Sequence, residues 1–181
     1  MCVRHANRLW SQRREADSAR KLRPRQSPAE LRVQKDLAEL ELPATMKTHF
    51  PDPANTMHFV LAITPDEGMY AGGTFVFDIS IGPNYPHDPP RVKGTQTLYH
   101  PNLDRDGNVC LNILREDWNP ILNLNSVVVG LQFLFLDPNP DDPLNKEAAD
   151  DLRRDRARFA ANVRRALAGG SLGGVTYDRV I

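Results

Sequence analysis

Met57-His58-Phe59-Val60-Leu61-Ala62-Ile63 and Phe75-Val76-Phe77-Asp78-Ile79-Ser80-Ile81 decide the fold: in each run every second residue is a large apolar one. A side-chain period of two belongs to strands with one buried face. Pro65-Asp66-Glu67-Gly68 and Gly72-Gly73 lie between the runs and supply turn chemistry, so the two strands are expected to be antiparallel neighbours. Working downstream, a shorter strand is expected around Val92. It is bounded by Tyr85-Pro86-His87-Asp88-Pro89-Pro90, whose prolines donate nothing to a ladder. The period of two sets in beyond Pro43, and a four-stranded antiparallel meander is expected in all.

Helices flank this meander. Upstream, Ser27-Pro28-Ala29-Glu30 combines an N-cap serine, proline at the first helical position and glutamate at the third. A helix of about 14 residues is expected to follow, with Leu31, Val33, Leu37 and Leu40 as its apolar contacts. Downstream, Val127 to Leu136 is apolar nearly all round. Its length and the flanking Asn125 and Asp137-Pro138 favour helix over strand. Asn145 is placed to cap a segment burying Ala148, Ala149 and Leu152. Asp155 is placed to cap another burying Phe159, Val163 and Leu167, with Gly169-Gly170 as its C-terminal stop. That glycine pair also raises the idea of a conjugatable tail, but eleven residues follow it, and the cap is the favoured reading. The order of helix, strands, long loops and helices, without an internal repeat, is an α+β class with helices segregated from the sheet.

The 181-residue chain fits one domain, expected over residues 27–181, behind an N-terminal arm of residues 1–26. Net charge is zero, but Arg4, Arg8, Arg13, Arg14, Arg20, Lys21, Arg23 and Arg25 against Glu15 and Asp17 give the arm +6 and leave −6 on the body. The arm has too few apolar residues to fold alone and is expected to be flexible. Nucleic-acid binding is not expected, because the body carries no basic face to continue the footprint. Within the arm, Leu9-Trp10 is an apolar pair, either incidental or a short docking motif. No run approaches the roughly 18 apolar residues of a membrane span. With two cysteines, Cys2 and Cys110, there is neither a disulfide framework nor metal-ligand spacing. A soluble intracellular protein without a metal is the expectation.

Cys110 carries the chemistry. A lone cysteine entering an apolar run is ordinarily a small core residue. Here the polar, Gly-containing loop Asp104 to Asn108 immediately precedes it and is expected to bring the thiol near the surface. His100 invites a Cys-His hydrolase reading, which requires the imidazole within hydrogen-bond reach and a third group to orient it. Its neighbour Pro101 favours an extended or turn geometry in which histidine braces the loop, and that structural role is preferred. Asn102 is a neutral amide of the kind that stabilises an oxyanion without changing protonation state.

His100-Pro101-Asn102 followed at this distance by Cys110 resembles the ubiquitin-conjugating enzyme family. The likeness extends to Tyr85-Pro86 and Pro89-Pro90 upstream and to Trp118-Asn119-Pro120 and Asp137-Pro138-Asn139-Pro140-Asp141-Asp142-Pro143-Leu144 downstream. It covers roughly residues 27–168 in one ungapped order. Cys110 to Trp118, Asn139 to Ala149 and Gly169-Gly170 look most like the branch conjugating the Nedd/Rub-type modifier to cullins. The resemblance implies that Cys110 accepts the modifier's C-terminal glycine as a thioester from a heterodimeric activating enzyme, and that a substrate lysine then attacks it. It further implies that Asn102 stabilises the oxyanion or orders the loop, and that Asp142 positions the lysine and favours its neutral form. His100 and Pro101 would be structural. Pro86, His87, Trp118 and Pro120 would lie on the surface gripped by RING-type ligases. No cofactor is implied, since ATP is consumed by the activating enzyme. Leu9 and Trp10 match an apolar patch that docks on the activating enzyme or a co-ligase, although here the patch starts several residues late, and Cys2 is small enough for Met1 to be removed. A monomer acting in cytoplasm and nucleus is expected. Two alternatives stay open: a ubiquitin-specific enzyme of the same mechanism, and a catalytically silent variant that only binds modifier or ligase.

Overall fold

The computed structural model describes residues 26–181. Strands β1 (Met46–His49), β2 (His58–Ile63), β3 (Phe75–Ser80) and β4 (Arg91–Gly94) form a sheet in the order β1-β2-β3-β4, every pair antiparallel. The register between β2 and β3 sets Phe59 opposite Ile79, Leu61 opposite Phe77 and Ile63 opposite Phe75. All six are fully buried on one face. At about 1.5–3 kcal/mol for each such side chain, their burial is worth on the order of 10 kcal/mol. A one-residue slip would turn the whole set to the other face, so this register is strongly specified.

Against that face lies α2 (Leu124–Leu136), capped by the Asn123 side chain, which accepts from the Ser126 N–H. Val127, Leu131 and Phe135 point inward, and the Phe135 ring stacks on Phe75 at 4.1 Å between centroids. Helices α3 (Lys146–Arg154) and α4 (Arg156–Leu167) follow, capped by Asn145 and Asp155 as their sequences require. Ala148, Ala149 and Leu152, and Phe159, Val163 and Leu167, are their buried residues. Gly169, at φ +84°, ends α4 in the left-handed conformation that a helix C-terminus uses.

Four features depart from the sequence expectation. Helix α2 begins at Leu124 under the Asn123 cap, so Asn125, expected to flank it, lies inside its first turn. Helix α1 (Pro28–Ala38) begins with the predicted capping box but stops after 11 residues rather than 14. Pro43 disfavours helical geometry at Leu42, and the Met46 N–H turns back onto the Pro43 carbonyl to enter β1. Its buried face is Ala29, Val33 and Asp36, spaced i, i+4, i+7. Leu31 therefore falls on the opposite side, 54% exposed, where an apolar contact was expected. Finally, β5 (Ser171–Leu172) and β6 (Val175–Thr176) form a hairpin that the sequence reading did not include. Gly173 and Gly174, both at positive φ, are its two-residue loop.

Candidate active site around Cys110

The segment leading to Cys110 is fixed before any long-range contact is considered. Asp104 Oδ1 accepts from the backbone N–H groups of Asp106 (3.0 Å) and Asn108 (2.8 Å), and Oδ2 accepts from Asn108 Nδ2. Gly107 sits at φ +78°, and a Cβ there would lie 2.0 Å from the Gly94 carbonyl oxygen, so only glycine lets the loop close on β4. The Gly94 N–H donates to the Gly107 carbonyl across that approach. Downstream, Leu111 and Ile113 press on α2 at Gly130, where a Cβ would meet the Ile113 Cδ1 at 2.8 Å. Cys110 is thus held between a pinned turn and a helix.

The thiol is more buried than its polar neighbours suggested: Cys110 is 5% exposed. The exposed Asp142 covers it, with the Sγ–H donating to Asp142 Oδ2 at 3.0 Å. Burial first, then this bond, push the thiol pKa up to about 11; Arg115 acts in the opposite direction, and the Asp142 and Glu116 charges add to the rise. At neutral pH the resting group is a protonated thiol, unlike the depressed thiolate of a cysteine hydrolase.

His100 does not form a dyad with it. The ring is fully buried: Nε2 donates to the Leu134 carbonyl (2.8 Å), and Nδ1 accepts from the Asn102 N–H (2.9 Å). Both nitrogens are therefore occupied in the neutral tautomer, and desolvation lowers the pKa to about 4. The histidine ties the loop to the end of α2.

Asn102 is also buried, and its amide is fully engaged. Nδ2 donates to the carbonyls of Asn139 (2.8 Å) and Asp142 (3.4 Å), while Oδ1 accepts from the Asn139 N–H (2.9 Å). Its own carbonyl accepts from the Cys110 N–H at 2.8 Å. One residue thereby joins the cysteine to the loop bearing Asp142. Pro101 contributes through its carbonyl, which accepts from both Leu144 and Asn145 N–H groups at 2.9 Å. The structure thus brings His100, Pro101, Asn102, Cys110 and Asp142 into one cluster.

Pro86, His87, Trp118 and Pro120 form a second group. The Tyr85-Pro86 bond is cis, Trp118 Nε1 donates to the Pro86 carbonyl (2.9 Å), and the Tyr85 and Trp118 rings lie 5.9 Å apart. Two residues that sequence reasoning missed lock these loops together. Buried Asp36 accepts from Arg32 Nε (2.8 Å) and from the Tyr85 hydroxyl. Arg32 also donates to the carbonyls of Pro120 (3.1 Å) and Leu122 (2.7 Å). Between those carbonyls Ile121 stands 90% exposed. The available signal was Asp36 itself, a carboxylate seven residues after Ala29 on the apolar face of α1.

Leu9, Trp10 and Cys2 lie outside the described residues. Among the described residues no three His, Cys, Asp or Glu side chains are grouped to hold a metal ion, and no helix is long and apolar enough to cross a membrane.

Comparison with known proteins gives this cluster a context. The ubiquitin-conjugating enzyme family profile matches residues 32–167. The chain is 55% identical over 170 residues to the Nedd8-conjugating enzyme UbcE2M of Drosophila melanogaster, covering 94% of both proteins. It is 54% identical over 174 residues to the NEDD8-conjugating enzyme ubc12 of Schizosaccharomyces pombe, covering 96% of this chain and 98% of that protein. Among solved structures, Ubc12 of S. cerevisiae superposes with a TM-score of 0.83 at 40% identity, covering 97% of this chain and 98% of that one.

Proposed function

The chain belongs to the ubiquitin-conjugating enzyme family, in its Nedd8-conjugating branch, and on that premise we propose that Cys110 carries a Nedd8-type modifier as a thioester and delivers it to a lysine of a cullin. The observation that carries this reading is the Cys110 thiol held 3.0 Å from the Asp142 carboxylate, with no free imidazole of the described residues beside it.

The chemistry follows from that pair. In charging, Cys110 Sγ attacks the carbonyl carbon of the modifier's C-terminal glycine, held as a thioester on the activating enzyme. The new C–S bond forms as the old one breaks, and the Cys110 proton passes to the departing thiolate. A thiol with a raised pKa suits a carrier, because staying protonated between transfers protects it from oxidation and misdirected attack. Charging breaks the Sγ–H···Oδ2 bond and leaves the Asp142 carboxylate free beside the thioester. There it accepts a hydrogen bond from the incoming lysine, orienting the amine and taking up its proton as the nitrogen attacks. The tetrahedral centre collapses to an isopeptide bond, and Sγ leaves as thiolate and is reprotonated.

Asn102 acts in this scheme by ordering the loop: its amide spans Asn139 and Asp142, and its backbone carbonyl holds Cys110. An oxyanion role would require the amide to give up those partners. The surface made by Pro86, His87, Pro120 and exposed Ile121 is proposed to receive a RING-type ligase, as a rigid apolar knob held by the Arg32–Asp36 pair. The activating enzyme is the second protein partner, with Leu9 and Trp10 as its proposed docking residues. Action in the cytoplasm and nucleus is part of the same proposal.

The test supplies ATP with matched pairs of activating enzyme and modifier, Nedd8-type in one reaction and ubiquitin in another. A thiol-sensitive adduct only with the Nedd8-type pair is expected. An adduct only with ubiquitin overturns the selectivity, and none with either favours a silent binding module.

A further inference from the structure

We propose that Arg153 is a positioning residue for this reaction: its guanidinium clamps the outer side of the Asp137–Leu144 loop and so holds Asp142 on the Cys110 sulfur. The proposal rests on reading Cys110 and Asp142 as the reacting pair.

The loop is a proline-punctuated strand of chain (Pro138, Pro140, Pro143) without a secondary-structure ladder. Its backbone groups must find partners elsewhere. From the core side Asn102 takes the Asn139 N–H and the carbonyls of Asn139 and Asp142. From the C-terminal side the Pro101 carbonyl takes the N–H groups of Leu144 and Asn145. The Pro140 carbonyl is reached by neither. Arg153, in the last turn of α3, donates to it through Nη2. The same nitrogen lies 3.9 Å from Asp141 Oδ1, and Nη1 reaches Asp150 Oδ1 at 3.4 Å. Asp142 thus sits between the Arg153 anchor at Pro140 and the Pro101 anchor at Leu144.

Arg153 is 43% exposed on its side chain, so its ion pairs are screened and contribute little by themselves. What it supplies is direction. A planar guanidinium spans a carbonyl and a carboxylate at fixed geometry, which a single ammonium does not reproduce. The neighbouring Arg154 is an internal control: it carries the same charge in the same helical turn, its side chain is 81% exposed, and among the described residues it pairs only with Asp150, at 4.0 Å. A general benefit of positive charge at the C-terminus of α3 would apply to both arginines alike.

The sign of the effect on the thiol separates positioning from charge. The groups acting on Cys110 are Asp142 and Glu116, which raise its pKa, and Arg115, which lowers it. Arg153 is not among them, so losing its charge alone would leave the thiol pKa in place or, as for any cation, raise it. Releasing the loop, so that Asp142 drifts from the sulfur, would lower it.

The experiment is the pH profile of Cys110 alkylation by iodoacetamide in the full chain, followed on the Cys110 peptide by mass spectrometry. For Arg153→Ala the midpoint is expected to fall from about 11 by at least roughly half a pH unit, about a threefold gain in thiolate at pH 8. Arg153→Lys should recover part of the shift, and Arg154→Ala should match wild type. Discharge of the pre-charged enzyme to free lysine should slow about three- to tenfold in Arg153→Ala, while charging, in which the sulfur itself attacks, should not slow. An Arg153→Ala profile that stays put or moves upward overturns the proposal, as does an equal shift in Arg154→Ala. Alkylation needs neither modifier nor activating enzyme. A wild-type chain that never charges would therefore refute the proposed function while leaving the positioning result readable.

Discussion

Replacing Asn102 with alanine separates two roles for that amide. The substitution removes two good hydrogen bonds, Nδ2 to the Asn139 carbonyl at 2.8 Å and the Asn139 N–H to Oδ1 at 2.9 Å, and a longer one to Asp142 at 3.4 Å. Each good bond contributes about 1 kcal/mol net, and the side chain that makes them is buried, so a loss of about 2–3 kcal/mol is expected. In a chain of this size that lowers Tm by about 4–10 °C. Asn102→Asp keeps the volume but aims a carboxylate at two carbonyls, and should be worse than alanine. The assays are calorimetric melting and single-turnover discharge of the thioester to lysine. If the amide works by ordering the loop, stability and discharge fall together, and the alkylation profile of Cys110 shifts because Asp142 is no longer held. A variant that melts within about 1 °C of wild type yet discharges tenfold more slowly would refute this reasoning and assign the amide to the reacting carbonyl itself.

Three further outcomes are expected. His100, with its folded pKa near 4, lets the unfolded chain take up a proton first, so its contribution to stability is complete above pH 6.5 and lost as pH falls from 6.5 towards 4. Its ring Cε1–H resonance should accordingly stay fixed between pH 8 and pH 5; a midpoint near 6.5 would contradict the buried, doubly bonded ring. Arg32→Ala strips buried Asp36 of its charge partner and frees the Pro120 and Leu122 carbonyls, costing about 3 kcal/mol in urea unfolding. Ile121→Ser should leave the melting temperature unchanged, because the residue is almost fully exposed. It should nevertheless weaken ligase-stimulated discharge several-fold while charging stays intact.

The features legible in the sequence alone are those written in local chemistry. Alternation in Phe59, Leu61, Ile63 and Phe75, Phe77, Ile79 specified the central strands and their inner face. Ser27, Asn145 and Asp155 each marked a helix start, because a short polar side chain can satisfy the first free N–H groups. Gly173-Gly174 is an equally local hairpin signal, but it stands so close to Gly169-Gly170 that the helix stop masks it. The site was legible as a set of residues but not as a geometry. Nothing local tells that Asp142, 32 residues after Cys110, sits on its sulfur, or that the Asn102 amide is consumed by Asn139. Arg32 and Asp36 were hidden for a different reason: a charged pair at helical spacing ordinarily faces water, and only the fold places Tyr85 against it.

The central claim is that one sulfur, on Cys110, carries the modifier. Its most direct test is the intact mass of the chain after incubation with ATP, activating enzyme and a Nedd8-type modifier under non-reducing conditions. The account predicts one added modifier, less one water, released by excess thiol and by hydroxylamine. The adduct should be absent in Cys110→Ala, present in Cys2→Ser, and converted in Cys110→Ser to an ester that survives thiol. An adduct that persists in Cys110→Ala, or resides on Cys2, would contradict it.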